Sequence, residues 1–142
     1  MKRIAVQARD AVVGHRFSLG HGDIAEYPGE EGIKAVFINS HINKLDGDEW
    51  EYNEGCLSIP KIREDIYRQE TVTLRYCDEL FTAHTQTFTG LTARVILHEY
   101  DHIEGKLFID HISPLKRKLM KGKLNDISKG KVNVDYKMLF PG

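Results

Sequence analysis

Hydrophobic and polar positions alternate most clearly over TVTLRYCD, residues 71–78, where Val72, Leu74 and Tyr76 share one face and Thr73 and Arg75 the other. Side chains on a strand change face at every residue, so this period predicts a half-buried strand. FTAHTQTF, 81–88, is rich in β-branched and aromatic residues and reads as a second strand after a turn at Asp78–Glu79. KRIAVQA at 2–8 and the apolar run AVFIN at 35–39 are two more. Between them lies a Gly- and His-rich loop ending in EYPGEEG, 26–32. The stretch 41–54 alternates loosely around LDGD, Leu45 to Asp48, and reads as a hairpin.

The period then changes. Leu91, Val95, His98 and His102 fall at offsets of 0, 4, 7 and 11, a single helical stripe, with Thr92, Ile96, Glu99 and Ile103 beside it. Thr89 is placed to cap this helix and Gly105 to end it. Only Arg94, Asp101 and Glu104 look clearly polar on the remaining surface, so the helix is expected to be mostly buried, its histidines included. A second helix is expected from Pro114 to about Ser128, with Leu115, Leu119, Met120, Leu124 and Ile127 inward and Gly122 a weak point. Strands first and helices after predict an α+β fold: small antiparallel sheets packed around a central helix, with a C-terminal helix. A chain of 142 residues is expected to form one domain over 1–142.

Composition works mainly by exclusion. Apolar residues at 41% and charged residues at 29% are those of an ordinary globular chain, and a net charge of −1 gives no overall bias toward nucleic acid or membrane. No apolar run approaches the roughly 20 residues that span a bilayer. MKRIAVQARDAV lacks the continuous apolar core of a secretory leader. Cys56 and Cys77 are too few for a disulfide scaffold, so a reducing compartment is the default.

The chemistry concentrates in HEYDH, 98–102. Residues four apart on a helix are neighbours, so His98 and His102 can grip one metal ion from one face. Glu99, turned by about 100°, can reach a water on that ion without ligating it. A metal lowers the pKa of bound water to about 7, and the carboxylate takes its proton. The bland alternative is two polar residues that share a helix; burial weighs against it, because unpaired buried polar groups are costly. Two histidines leave the site incomplete. EGCLSIP, 54–60, offers Cys56, a soft thiolate ligand in a Gly-flanked segment that reads as neither strand nor helix; a small buried hydrophobe is the other fate of such a cysteine.

Together, EGCLSIP and HEYDHIEG, 98–105, resemble the motifs of the peptide deformylases, which remove the N-formyl group from new bacterial polypeptides. The likeness runs from about residue 33 to 131 and includes FIDHISPLKRK after the helix. It implies that Cys56, His98 and His102 hold a metal, usually Fe²⁺, with Zn²⁺, Ni²⁺ or Co²⁺ able to replace it. Glu99 would be general base and then acid, and the backbone N–H of Leu57 would donate to the oxyanion. The substrate would be an N-formylmethionyl peptide laid along a sheet edge, with Gly55, Leu91 and Val95 in contact with it. Arg68 resembles a family arginine that pairs with the acid of the helix motif, here Asp101; a solvated helix face is the open alternative. The setting implied is the bacterial cytoplasm, with no membrane and no specific DNA partner. A zinc peptidase built on the two histidines would want a third His or Glu ligand, whereas EGCLSIP points to Cys56.

The family's third motif, GxGLAAxQ, whose glutamine is a second oxyanion donor, has no counterpart. KRIAV at 2–6 resembles the strand that follows it, so the chain is expected to begin after that motif, N-terminally truncated and without the usual N-terminal helix. Gln7 has no glycine-rich lead-in, and GHGDIAEY, 20–27, carries Asp23, Ile24 and Tyr27 at mismatched positions. The reading is therefore a metal-dependent hydrolase that releases formate, with a catalytically impaired or inactive metal-binding relative as the alternative. Residues 114–131 hold seven Lys/Arg and one Asp, which suits either ribosomal RNA or a solvated cationic face. Cys77, His15, His21, His41, His84 and His111 read as structural or surface residues.

Overall fold

We describe a computed structural model of the chain over residues 16–19 and 35–138. The strand expected at 2–8, Gln7, His15, His21 and the GHGDIAEY segment lie outside the described residues. The elements are β1 (Arg16–Leu19), β2 (Ala35–Cys56), β3 (Ile59–Cys77), β4 (Ala83–Thr89), α1 (Gly90–Ile103), a 3₁₀ turn (Phe108–His111), α2 (Pro114–Leu119) and α3 (Lys121–Ser128). The strands form one sheet in the order β1-β2-β3-β4. Among the described residues this makes an α+β fold with a small antiparallel sheet and three helices.

Packing divides the chain into two units, one of Met1–Trp50 with Arg68–Leu107 and one of Glu51–Tyr67 with Phe108–Gly142. In the first, β1 pairs antiparallel with β2, Phe17 opposite Phe37, and β3 with β4, Val72 opposite Phe88. The strand period decides the core: Val72, Leu74 and Tyr76 all point inward. They join Phe37 and Phe88 from the sheet and Ala93, Ile96 and Leu97 from α1. The Phe37 ring lies 4.5 Å from that of Tyr76 and 5.9 Å from that of Phe88, an aromatic cluster that buries apolar area and adds favourable ring contacts.

The hairpin expected around LDGD is not there: the chain runs through it as part of one 22-residue strand. Gly47 does take a left-handed φ of 76°, and Asp46 Oδ1 accepts from its N–H at 2.9 Å. A Cβ on Gly47 would stand 3.2 Å from Glu70 Cβ, so β3 passes close beside it. One left-handed glycine is then a local irregularity within a strand, which satisfies the same Asp-Gly signal without reversing the chain. The reversal falls instead at Leu57–Ser58, inside EGCLSIP.

α1 keeps the bounds that its caps predict. Thr89 precedes it in extended conformation, and Gly105, at φ 73°, follows its last turn and donates to the His102 carbonyl. Its burial is deeper than expected. Arg94, taken from sequence as a surface residue, is 2% exposed. Its Nη2 donates to the Trp50 carbonyl at 2.6 Å and its guanidinium lies 4.5 Å from the Trp50 ring centre. A planar, weakly hydrated cation tolerates such burial when a carbonyl and an aromatic face replace water.

In the second unit Ile59, Ile62, Ile66, Phe108, Ile109 and Met120 are buried. Ser113 Oγ accepts from the Lys116 N–H, and Pro114 opens α2, as a helix start favours. The single helix expected over 114–128 is two, broken at Met120 (φ −92°, ψ 2°) rather than at Gly122. The break shifts the helical phase, so the expected apolar stripe does not hold: Met120 is buried, Leu124 and Ile127 are half-buried, and Leu115 and Leu119 are exposed. Beyond α3, half-buried Val132, Val134, Tyr136 and Met138 alternate with exposed Lys131, Asn133, Asp135 and Lys137.

Candidate metal centre

α1 brings His98 and His102 onto one face, their ring centres 4.9 Å apart and edge to face. His98 is buried and Glu99, the next residue, is 1% exposed. Asp101 accepts from Arg68 Nη1 at 2.7 Å, with side chains 14% and 5% exposed respectively. Leu91 on the same helix is buried, and Val95 packs against the sheet core.

Cys56 is the last residue of β2 and half-buried, its Sγ 2.9 Å from Ser58 Oγ. Leu57 follows in the turn, and its carbonyl accepts from the Tyr136 hydroxyl at 2.8 Å. Burial first, then the nearby Asp135 and Cys56, push the Tyr136 phenol up from its ordinary range, so it stays a protonated donor. Gly55 lies under the Arg63 side chain, whose Nη1 would stand 2.8 Å from a Cβ added there. Arg63 is held in place by Asn53: Nε donates to its Oδ1 at 2.7 Å and Nη2 to its carbonyl.

The donor atoms of Cys56, His98 and His102 all lie within 4.8 Å of one another. The polypeptide deformylase family model matches residues 5–118. The chain belongs to this family. A peptide deformylase of Christiangramia forsetii is 58% identical over 109 residues, 77% of this chain and 56% of the relative. One of Flavobacterium johnsoniae is 56% identical over 110 residues, 78% of this chain and 56% of the relative. The crystal structure of a peptide deformylase from Legionella pneumophila, 36% identical, overlays with a TM-score of 0.62 over 77% of this chain and 62% of that one. The chain thus spans 56% of the length of these two curated relatives.

Deformylases are metal-dependent, and the donor set suits a metal. One thiol and two imidazoles form a soft, nitrogen-and-sulfur site for a divalent transition ion. Two features of the site escape sequence reasoning. Arg63 over Gly55 has no motif. Tyr136 on Leu57 leaves one trace, the alternation VNVDYKM, which gives the tail an inward face.

Proposed function

We propose that the chain works as a peptide deformylase: a metal-dependent hydrolase that removes the N-formyl group from the N-terminal methionine of nascent polypeptides and releases formate. The observation that carries this is the convergence of the Cys56, His98 and His102 donors within 4.8 Å, with Glu99 next to the first histidine in a buried turn.

Cys56, His98 and His102 would hold the ion, with Fe²⁺ as the resident metal and Zn²⁺, Ni²⁺ or Co²⁺ as replacements. When bound, a divalent metal acts as a Lewis acid and acidifies its water. The Glu99 carboxylate takes the proton of the attacking water and later gives it to the leaving amine nitrogen. The Leu57 N–H points its dipole at the oxygen that gains charge, and one such donor lowers a barrier by about 3 kcal/mol. Gly55, Leu91 and Val95 contact the substrate, and the Arg68–Asp101 pair orients the helix turn that bears His102.

No helix among the described residues is long and apolar enough to cross a membrane, and we place the reaction in the bacterial cytoplasm, on chains leaving the ribosome. Lys118, Lys121 and Lys123 are exposed on α2 and α3 and would meet ribosomal phosphates. Lys116 and Arg117 contribute less, being paired with Glu64 and Asp110.

The test is hydrolysis of formyl-Met-Ala-Ser by the chain purified anaerobically and loaded with Fe²⁺ or Ni²⁺, with metal content assayed in parallel. The expected result is turnover that Glu99→Ala abolishes while metal content is retained. Turnover indifferent to Glu99→Ala, or stoichiometric metal with no turnover, would overturn the reading.

A further inference from the structure

Leu57 and Ser58 make the two-residue connection between β2 and β3, and Cys56 precedes them directly. A connection this short leaves few free dihedrals, so holding one of its peptide groups constrains the others. Two side chains hold this one. Ser58 Oγ lies 2.9 Å from Cys56 Sγ, on one side. On the other, the Tyr136 hydroxyl donates to the Leu57 carbonyl at 2.8 Å, a normal O–H···O length, across 79 residues of sequence. Tyr136 is delivered by the tail beyond α3, on the half-buried side of its alternating residues. The tail lies past residue 118, where the family match ends.

We propose that Tyr136 is a positioning residue, whose bond to the Leu57 carbonyl fixes the Leu57–Ser58 turn and with it the Leu57 N–H and the Cys56 sulfur. The consequence for rate rests on the deformylase reading; the consequence for the turn does not. Tyr136 is not itself one of the candidate ligands. It fixes ψ of Leu57, and the preceding amide follows because the short turn leaves it little independent freedom. A misdirected oxyanion donor lowers the rate of the chemical step more than it weakens binding of the ground-state amide.

Tyr136→Phe removes the donor and keeps the ring, so the tail's packing is retained. Three readouts are compared with the parent chain. In metal-free protein, amide hydrogen exchange at Leu57 and Ser58 is expected to be about fivefold faster. In Co²⁺-loaded protein, the thiolate-to-cobalt absorption is expected to shift. With formyl-Met-Ala-Ser, kcat is expected to fall about tenfold with KM unchanged. Unchanged exchange overturns the proposal, as does faster exchange with kcat and the cobalt spectrum unaltered. Should the parent chain itself turn over no formyl-peptide, the deformylase reading fails. Faster exchange together with a shifted cobalt band would still uphold the tether.

Discussion

Arg68 Nη1 donates to Asp101 Oδ2 at 2.7 Å, from strand β3 to the turn of α1 that carries His102. The side chains are 5% and 14% exposed, so this is a largely desolvated ion pair. Asp101 is therefore not a solvated helix-face residue. It fixes α1 to the sheet one residue before a proposed metal ligand.

Removing one partner of such a pair leaves the other charge buried, and this costs about 3–5 kcal/mol. Arg68→Ala is expected to lower the urea midpoint accordingly, with an unchanged dependence on denaturant concentration. Replacing both partners by apolar groups, Arg68→Met with Asp101→Leu, should recover most of the loss. A double variant as unstable as Arg68→Ala alone would mean that the pair is not the source of the effect.

The two cysteines should separate by metal content. Cys56 shares its surroundings with both histidines, whereas Cys77 closes β3 and belongs to no cluster of three metal-ligating groups among the described residues. Cys56→Ala is expected to lose bound metal and Cys77→Ala to keep it at one ion per chain, measured by elemental analysis after anaerobic loading. Loss of metal in Cys77→Ala with retention in Cys56→Ala would reverse the assignment.

What the sequence announces, and what it hides, follows from the range of the interaction. α1 was legible because its stripe and both ends, Thr89 and Gly105, are local signals. Cys56, His98 and His102 stand out in the sequence as candidate ligands because few residue types ligate metals, and the fold brings their donor atoms within 4.8 Å of one another. Arg94 reads as a surface residue because its burial depends on Trp50, 44 residues away, with no local trace. LDGD reads as a hairpin for the opposite reason: an Asp-Gly pair favours a left-handed residue equally at a hairpin and within a strand, and only the neighbouring strand at Glu70 decides. The break at Met120 falls between two windows each short enough to look like one helix.

The β3–β4 turn carries its own pH dependence. Asp78 Oδ2 meets His84 Nε2 at 2.7 Å, while its Oδ1 accepts from the N–H groups of Leu80 and Thr82. The His84 bond first, and the backbone donors after it, hold this carboxyl below its ordinary value of 3.8. A carboxyl depressed in the folded state stabilises it above the unfolded value, and that contribution is lost as pH falls through the folded one. The Asp78 carboxyl carbon should therefore titrate below 3.8 by NMR, and His84→Ala should raise its midpoint. An Asp78 midpoint at or above that value would remove the basis for the turn's acid sensitivity.

Gly55 admits two explanations that one thermodynamic cycle separates. If the residue is glycine because substrate passes close to it, a methyl group there raises KM whatever its neighbours are. If it is glycine because Arg63 lies across it, the methyl meets Nη1 at 2.8 Å and Cγ at 3.3 Å. Nη1 is the end of a flexible side chain, but it is not free to swing: Arg63 Nε and Nη2 are both held by Asn53. Gly55→Ala must then break those bonds, at about 1 kcal/mol for two exposed hydrogen bonds and the displaced packing. In an Arg63→Ala background the same substitution should cost under about 0.5 kcal/mol, a coupling of the size expected for residues in direct contact. Urea unfolding of the four proteins gives the coupling energy, and KM for formyl-Met-Ala-Ser in the same set gives the other half. Stability restored with KM still raised would assign the glycine to both roles, because relief of the clash leaves the substrate's need for space untouched. Stability restored with KM restored would assign it to Arg63 alone, and additive stability losses would remove the Arg63 explanation.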